Sequence, residues 1–435
     1  MTKSTRFNFI SETGDGIGFA VRLKNDGHPV RLWIRSSDAK SCGDRLVEKV
    51  GDIDDLLHGA DRESDVFIFD VSGNGIVADY LRQQGFPVIG GSSLMDRLER
   101  DREYGYKVMQ DVGITIPETQ SFTSFADGIE FVEQNPDVRW VYKPSKQLGD
   151  LSPSHVSYDS EDLIQMLTNI EQDVDINDPQ FELQAFEKGI ALSTELWFQN
   201  GEFIAPLTNH TLERKELMND NLGPSGGCLG NVVWLCDGCY ACDVAKQLIP
   251  WCERIRYHGM LDLNVIVADD AIYGLEFTPR FGYDASPTFL WELVRGDLGQ
   301  FISNISRGQL RDVETVDDAY AGAVRITLPP WPLEKHHAEE NIPIRGLGKP
   351  KDWNSNTYLY NVKADQDDEL VSAGAYGILM LLTHQASTIN GALRAPLNRA
   401  LELKVKNKQF RTDLAKQFTD DSTKLEQLLG KQMVS

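Results

Sequence analysis

The sequence lacks any apolar run near the about 18 residues that a membrane-spanning helix needs, so no membrane span is expected. It is poor in positive charge. Lys and Arg number 43 against 66 Asp and Glu, for a net charge of −23. That balance argues against a broad nucleic-acid or membrane surface, because phosphate backbones need basic faces; it leaves room for a basic pocket that takes a small anion. A secretory signal is not expected either: residues 1–6 are polar, and the apolar run after them is short and interrupted by Glu12 and Asp15. A cytoplasmic chain is therefore expected. Internal repeats and low-complexity blocks are absent, and no Ser-His-Asp or Cys-His arrangement stands out. Cysteine is scarce, with six residues, at 42, 228, 236, 239, 242 and 252. Cys236 and Cys239 have Cys-x-x-Cys spacing and Cys242 follows three later, which suits a metal site. Neither a second such pair nor a matching pair of histidines stands nearby, so reduced thiols are the reading taken.

What is present is enough apolar residue, 41% of 435, to fill the cores of several domains. A strand at 7–10, the glycine turn Gly14, Gly16, Gly18, a helix at 19–25 and a strand at 28–34 form one unit. Its glycines invite a dinucleotide reading. The acid that would bind a ribose at the end of the second strand is absent, since Arg35, Ser36 and Ser37 stand there. Further strands at 65–71 and 88–89 complete a parallel α/β domain over 1–95. Beyond it the pattern alternates: one helix over 95–112, a helix at 125–134, a strand at 140–143, a loop at 144–153 and a helix at 161–172. Strands follow at 181–186, 191–199 and 202–205. A polar stretch, a glycine-rich loop at 223–227, a helix at 244–257 and a hairpin of 259–267 with 271–278 come next. The remainder starts with a strand at 319–328 and includes a helix at 386–403. An exposed helix is expected at 422–430.

The densest chemical signal is Gly274-Leu275-Glu276-Phe277-Thr278-Pro279-Arg280-Phe281-Gly282. Alternation along a strand puts Glu276, Thr278 and Arg280 on one face. Carboxylate and hydroxyl oxygens bind hard Mg2+, and arginine binds anionic oxygens in a bidentate way. That combination suits phosphoryl chemistry on a nucleotide.

With these motifs in order, the chain resembles phosphoribosylamine–glycine ligase, of the ATP-grasp superfamily of carboxylate–amine ligases. The likeness rests on 65–70 and 86–91 in the first domain, and on 101–107, 113–117 and 141–144 beyond it. The segments 183–189, 221–230 and 275–282 extend it, with a weak echo at 408–414. The resemblance implies an ATP-grasp fold: an N-terminal Rossmann-like domain (1–95), an ATP-grasp domain (96–315) with a mobile lid near 118–185, and a mixed α/β C-terminal domain (316–435). It implies ATP and Mg2+, with Mn2+ as an alternative metal, small-molecule substrates and a place in purine biosynthesis. Lys107 and Lys143 would hold nucleotide phosphates, and Gln184, Phe186 and Glu187 the adenine. Glu276, Thr278 and Asp262, with Asn264 as a further candidate, would hold the metal. Arg280 and Lys215 would act on the reacting groups. Arg214, Gly223, Ser225, Gly226, Gly227 and Gly282 would contact the substrate.

The chain also departs from the family pattern. Thr278 replaces an Asn, Ala191 replaces a ribose-binding acid, and Gln184 and Ala185 replace linker acids. A catalytically silent nucleotide-binding homologue and a ligase with a different acceptor amine therefore stand as alternatives to the ligase reading.

Overall fold

The computed structural model describes residues 4–144, 154–173, 179–236, 238–281, 284–333, 337–348 and 356–432. The expected loop after Lys143 falls mostly outside them, as does Gly282.

Continuous apolar runs form the first layer. Asp65–Phe69 is buried along its whole length, as a strand covered on both faces must be. The sheet is parallel, in the order Glu48–Lys49, Val30–Ile34, Arg6–Ser11, Asp65–Phe69, Val88–Ile89. The order reverses between Arg6–Ser11 and Asp65–Phe69, and a crevice opens beyond the carboxyl ends of those strands. The glycine turn lies there, but it is not open to a dinucleotide. The Tyr358 hydroxyl donates to the Asp15 carbonyl at 2.6 Å. A Cβ on Gly18 would lie 2.6 Å from the Tyr358 ring. Gly16 N–H donates to Asp70 at 2.6 Å. Gly18 therefore serves close packing against the last third of the chain, and Gly14 and Gly16 close packing within the parallel-sheet unit.

A second, antiparallel sheet has the order Thr119–Phe122, Phe181–Ala185, Trp140–Pro144, His155–Val156. The helices Phe125–Gln134 and Ser160–Asp173 accompany it. It has its own core, in which Phe181 stacks between Phe122 and Phe125 at 5.4 and 5.1 Å.

The largest sheet carries the chemistry. Among the described residues its order is Ile272–Thr278, Gly259–Ala268, Gly189–Gln199, Asn209–Met218, Leu222–Leu235, Tyr320–Thr327, Ile378–Ala386, Thr357–Leu359, with Glu202–Phe203 pairing to the side. It runs across residue 315, because Leu222–Leu235 pairs with Tyr320–Thr327. The expected hairpin of 259–267 with 271–278 is present.

Five expectations need correction. The helix at 244–257 is two short helices, Tyr240–Lys246 and Ile249–Arg254, with Pro250, which lacks the N–H that would continue a helix, at the start of the second. The helix over 95–112 is two helices, Ser93–Arg100 and Arg102–Asp111, because Asp101 is extended and its carboxylate caps the second at Tyr104 N–H. The polar stretch before the glycines is the strand Asn209–Met218. The glycine loop is itself part of the strand Leu222–Leu235, paired at Ser225 with Glu216 across bulges. The tail helix is longer, Leu414–Gln432, and it buries Leu414, Phe418, Leu425 and Leu428 along one stripe.

Gly18→Ala forces a methyl into the Tyr358 ring. Overpacking of this kind costs about 1–3 kcal/mol. Urea unfolding of the variant should show that loss, and an unchanged midpoint would contradict the packing described.

Candidate active site

Antiparallel pairing puts Asn264 opposite Glu276 and Asp262 opposite Thr278. Glu276, Thr278 and Arg280 share one face, as alternation predicts, and all three line a cleft of about 510 Å³. The other walls include Thr13 and Asp15 from the crevice of the parallel sheet. Glu213, Lys215, Ser225, Gly226 and Gly227 line it from the neighbouring hairpin, and Arg325, Trp331 and Asn361 from the last third of the chain. A cavity of about 660 Å³ elsewhere, bordered by Arg82, Arg256 and His258, contains none of the sequence-predicted residues.

Negative charge is concentrated on one side. Asp262 is buried, and among the described residues its Oδ1 has no hydrogen-bond partner. Its Oδ2 accepts from Asn264 Nδ2 at 3.2 Å, and Ser193 Oγ donates to Asn264 Oδ1 at 2.8 Å. Burial, then the carboxylates of Glu195 and Glu213, push Asp262 well above the usual carboxylate range. An unpartnered buried oxygen beside Glu276 and the Thr278 hydroxyl is a hard-oxygen donor set that fits Mg2+.

Two lysines lie in the field of these acids. Lys143 enters from the second sheet, with Nζ 3.4 Å from the Tyr106 hydroxyl. Burial, the largest influence, lowers it to about 8 against the pull of Glu276, and Arg102 adds to the depression. At Lys215 burial acts downward, but Glu276 and Glu213 outweigh it and hold the ammonium above its ordinary value. Arg280 is oriented by Glu99, through Nε at 3.0 Å and Nη2 at 2.8 Å.

The other sequence-predicted residues divide. Gln184 is buried and donates to the Tyr106 hydroxyl at 3.1 Å and to Thr119 at 3.0 Å. Phe186 lies under the Arg139 guanidinium at 4.0 Å. Glu187, beside Phe186 in the connection between two sheets, is raised by burial and then by Asp270. Lys107 is exposed on its helix, and the side chains of that helix in the field of Lys143 are Tyr106 and Arg102. The helix phase thus turns Lys107 outward. Arg214 also points away, because neighbours on a strand face opposite ways. It pairs with Asp421 and lies 5.1 Å from the Phe418 ring. Gly223, at φ +81°, packs on Met218, whereas Gly226 fits beneath Trp331, where a Cβ would lie 2.1 Å from the ring.

Two groups escaped the sequence reading. Arg325 is buried in the cleft wall and forked on Asp284 at 2.8 and 2.5 Å, and Asp284 also accepts from Tyr360 at 2.7 Å. An arginine inside the apolar strand Tyr320–Thr327 was the signal. Glu182, opposite Lys143 across the second sheet, was the other.

The architecture is the ATP-grasp fold. No protein-family model matches the chain. It is similar to the phosphoribosylamine–glycine ligase of Halalkalibacterium halodurans, 24% identical over 355 residues that span 78% of each chain. To that of Methanosarcina barkeri it is 23% identical, over 74% of this chain and 76% of the other. The crystal structure of phosphoribosylamine–glycine ligase from Thermotoga maritima superposes with a TM-score of 0.69 at 16% identity, over 94% of this chain and 100% of that one. A biotin carboxylase of Campylobacter jejuni follows at 0.64 and 12%, over 94% and 93%.

Lys143 carries a stability cost. Between about pH 8 and its ordinary 10.5 the unfolded chain holds this proton and the folded chain does not, so stability rises with pH across that window. Below pH 8 the cost is fully present. Lys143→Met should therefore gain on the order of 2 kcal/mol at pH 7, shrinking towards pH 10.5. Urea titrations at both pH values check this; a variant less stable at pH 7 would contradict the electrostatics described.

Proposed function

We propose that the chain is an ATP-dependent carboxylate–amine ligase that forms an amide through an acyl phosphate. The observation that carries this reading is the Asp262 oxygen that has no partner among the described residues, in one cleft with Glu276 and Lys215, with Lys143 in the field of Glu276. Acids and cations gathered at one cleft, with Lys143 in the field of Glu276, suit a nucleotide triphosphate and its metal. The similarity to proteins named phosphoribosylamine–glycine ligase supports glycine as the carboxylate and phosphoribosylamine as the amine.

The chemistry runs in two displacements. A carboxylate oxygen of the amino acid attacks the γ-phosphorus of ATP, the bond to the bridging oxygen breaks, and ADP leaves. The amine nitrogen then attacks the acyl carbon. The carbon–oxygen bond breaks, phosphate leaves with its electrons, and the nitrogen loses a proton.

The chain's contribution is positioning and charge. Asp262, Glu276 and Thr278 would hold Mg2+, or Mn2+, which neutralises phosphate charge during transfer. Lys143 holds the phosphates from the second sheet, and Gln184, Phe186 and Glu187 border the base. The separate core of the 119–185 sheet lets that unit move as a lid and exclude water. Arg280, fixed by Glu99, meets the oxygens being transferred. Lys215, Ser225, Arg325 and the backbone of Gly226 and Gly227 bind the anionic substrate. Retention of Lys143, Lys215, Glu276 and Arg280 favours catalysis over a silent scaffold.

Glycine with phosphoribosylamine, generated in place, should release ADP and phosphate in equal amounts. Glu276→Gln should lower kcat by about 10²–10³-fold, the usual cost of removing one group that stabilises transition-state charge. Turnover equal to that of the unaltered chain would refute the metal assignment.

A further inference from the structure

Away from the cleft, four ligand-type side chains converge at the base of the hairpin formed by Asn209–Met218 and Leu222–Leu235. Cys236 follows the second strand directly. Cys239 caps the helix Tyr240–Lys246, and Cys242 lies in that helix's first turn. His210 comes from the first strand and pairs with Trp234 of the second. The imidazole nitrogen and the three sulfurs all lie within 4.8 Å of one another. His210 Nε2 is 3.0 Å from Cys239 Sγ and 3.5 Å from Cys242 Sγ, and Cys236 Sγ is 3.2 Å from Cys239 Sγ. The structure joins Cys236 to Cys242 as a disulfide, with Cα atoms 6.8 Å apart.

We propose that the reduced chain binds one structural Zn2+ through His210, Cys236, Cys239 and Cys242. A disulfide between two of the cysteines accounts for neither the third thiol nor the imidazole aimed into the same space. A tetrahedral ion accounts for all four. Bonds of about 2.3 Å to sulfur and 2.0–2.1 Å to nitrogen set ligand atoms roughly 3.5–3.8 Å apart; the non-bonded contacts of 3.0–3.5 Å open a little to reach this, and the Cys236 and Cys242 sulfurs separate once their disulfide is reduced. His210 and Cys242 are buried. His210 Nδ1 lies 2.9 Å from Thr194 Oγ1, so the other ring nitrogen is free to face the sulfurs. That outer partner is the arrangement that orients a metal-binding histidine. Four protein ligands leave no open position, so the ion is structural. It ties both strands of the hairpin that carries Lys215 and Gly226 to the helix behind them. On binding, the three thiols give up their protons to solvent. The disulfide form must first be reduced to two thiols, for which a phosphine reductant supplies the two electrons.

The test is metal analysis of the full chain, produced with added Zn2+ and purified with a phosphine reductant and no chelator. About one zinc per chain is expected. Co2+ added to the stripped, reduced chain should give tetrahedral visible bands and thiolate charge-transfer bands in the near ultraviolet. Thr194→Ala keeps all four ligands and should fold; it should weaken zinc binding about 10–100-fold in a competition with a chromogenic chelator. Cys239→Ser should lose the cobalt bands. Glu276→Gln should retain its zinc, which separates this site from the cleft. A reduced, folded chain that holds no zinc and gives no tetrahedral cobalt spectrum overturns the proposal. So does Thr194→Ala binding zinc as tightly as the unaltered chain.

Discussion

Electrostatic mismatch across one cleft organises this molecule. Asp262 is held in the interior with one oxygen unpartnered among the described residues, in the field of Glu195, Glu213 and Glu276. Such a cluster repels itself and resists ionisation. Lys143 and Lys215 lie in the field of these acids, one depressed by burial and the other raised by the acids. Neither side is satisfied alone. A metal–nucleotide held as proposed would settle both, since the metal would supply positive charge to the carboxylates and the phosphates would supply negative charge to the ammonium groups.

The framework keeps these groups in place. Glu276, Thr278, Asp262 and Asn264 occupy two adjacent strands whose register is fixed by the pairing of Asn264 with Glu276 and Asp262 with Thr278. The same sheet continues through the hairpin that bears Lys215 into the strand that bears Arg325. A shift in any of these strands would be felt along the sheet. Lys143 is different, because it belongs to the separate antiparallel sheet with its own aromatic core. The charge proposed to meet the nucleotide is thus carried on a unit with its own packing, whereas the oxygens proposed to bind the metal are built into the main one.

Much of this was legible in the residues. The parallel sheet follows from apolar runs such as Val66-Phe67-Ile68-Phe69, and the site strand from the alternation of Glu276, Thr278 and Arg280. The strand Asn209–Met218 was not legible, because its buried residues include Asn209, His210 and Thr211 and hide the apolar alternation that marks a strand. Missing it also hid the histidine beside the three cysteines. The reading of reduced, independent thiols gives way for Cys236, Cys239 and Cys242, whose sulfurs the fold brings together. Residues 223–227 looked like a loop because glycine weakens strands, yet cross-strand pairing with Glu216 extends the sheet through them. Lys107 and Arg214 show the limit of motif matching. Each lies one residue from a side chain that faces the site, and helix phase or strand alternation turns it away. Arg325 shows the reverse, an arginine in an apolar strand whose partner, Asp284, lies on a different element.

The central claim is that the Asp262 and Glu276 carboxylates and the Lys143 and Lys215 ammonium groups jointly bind a metal–triphosphate. Calorimetric titration with a non-hydrolysable ATP analogue, with and without Mg2+, tests this most directly. Binding that requires Mg2+ is the predicted result; binding of equal strength in its absence, or none in its presence, would contradict the account.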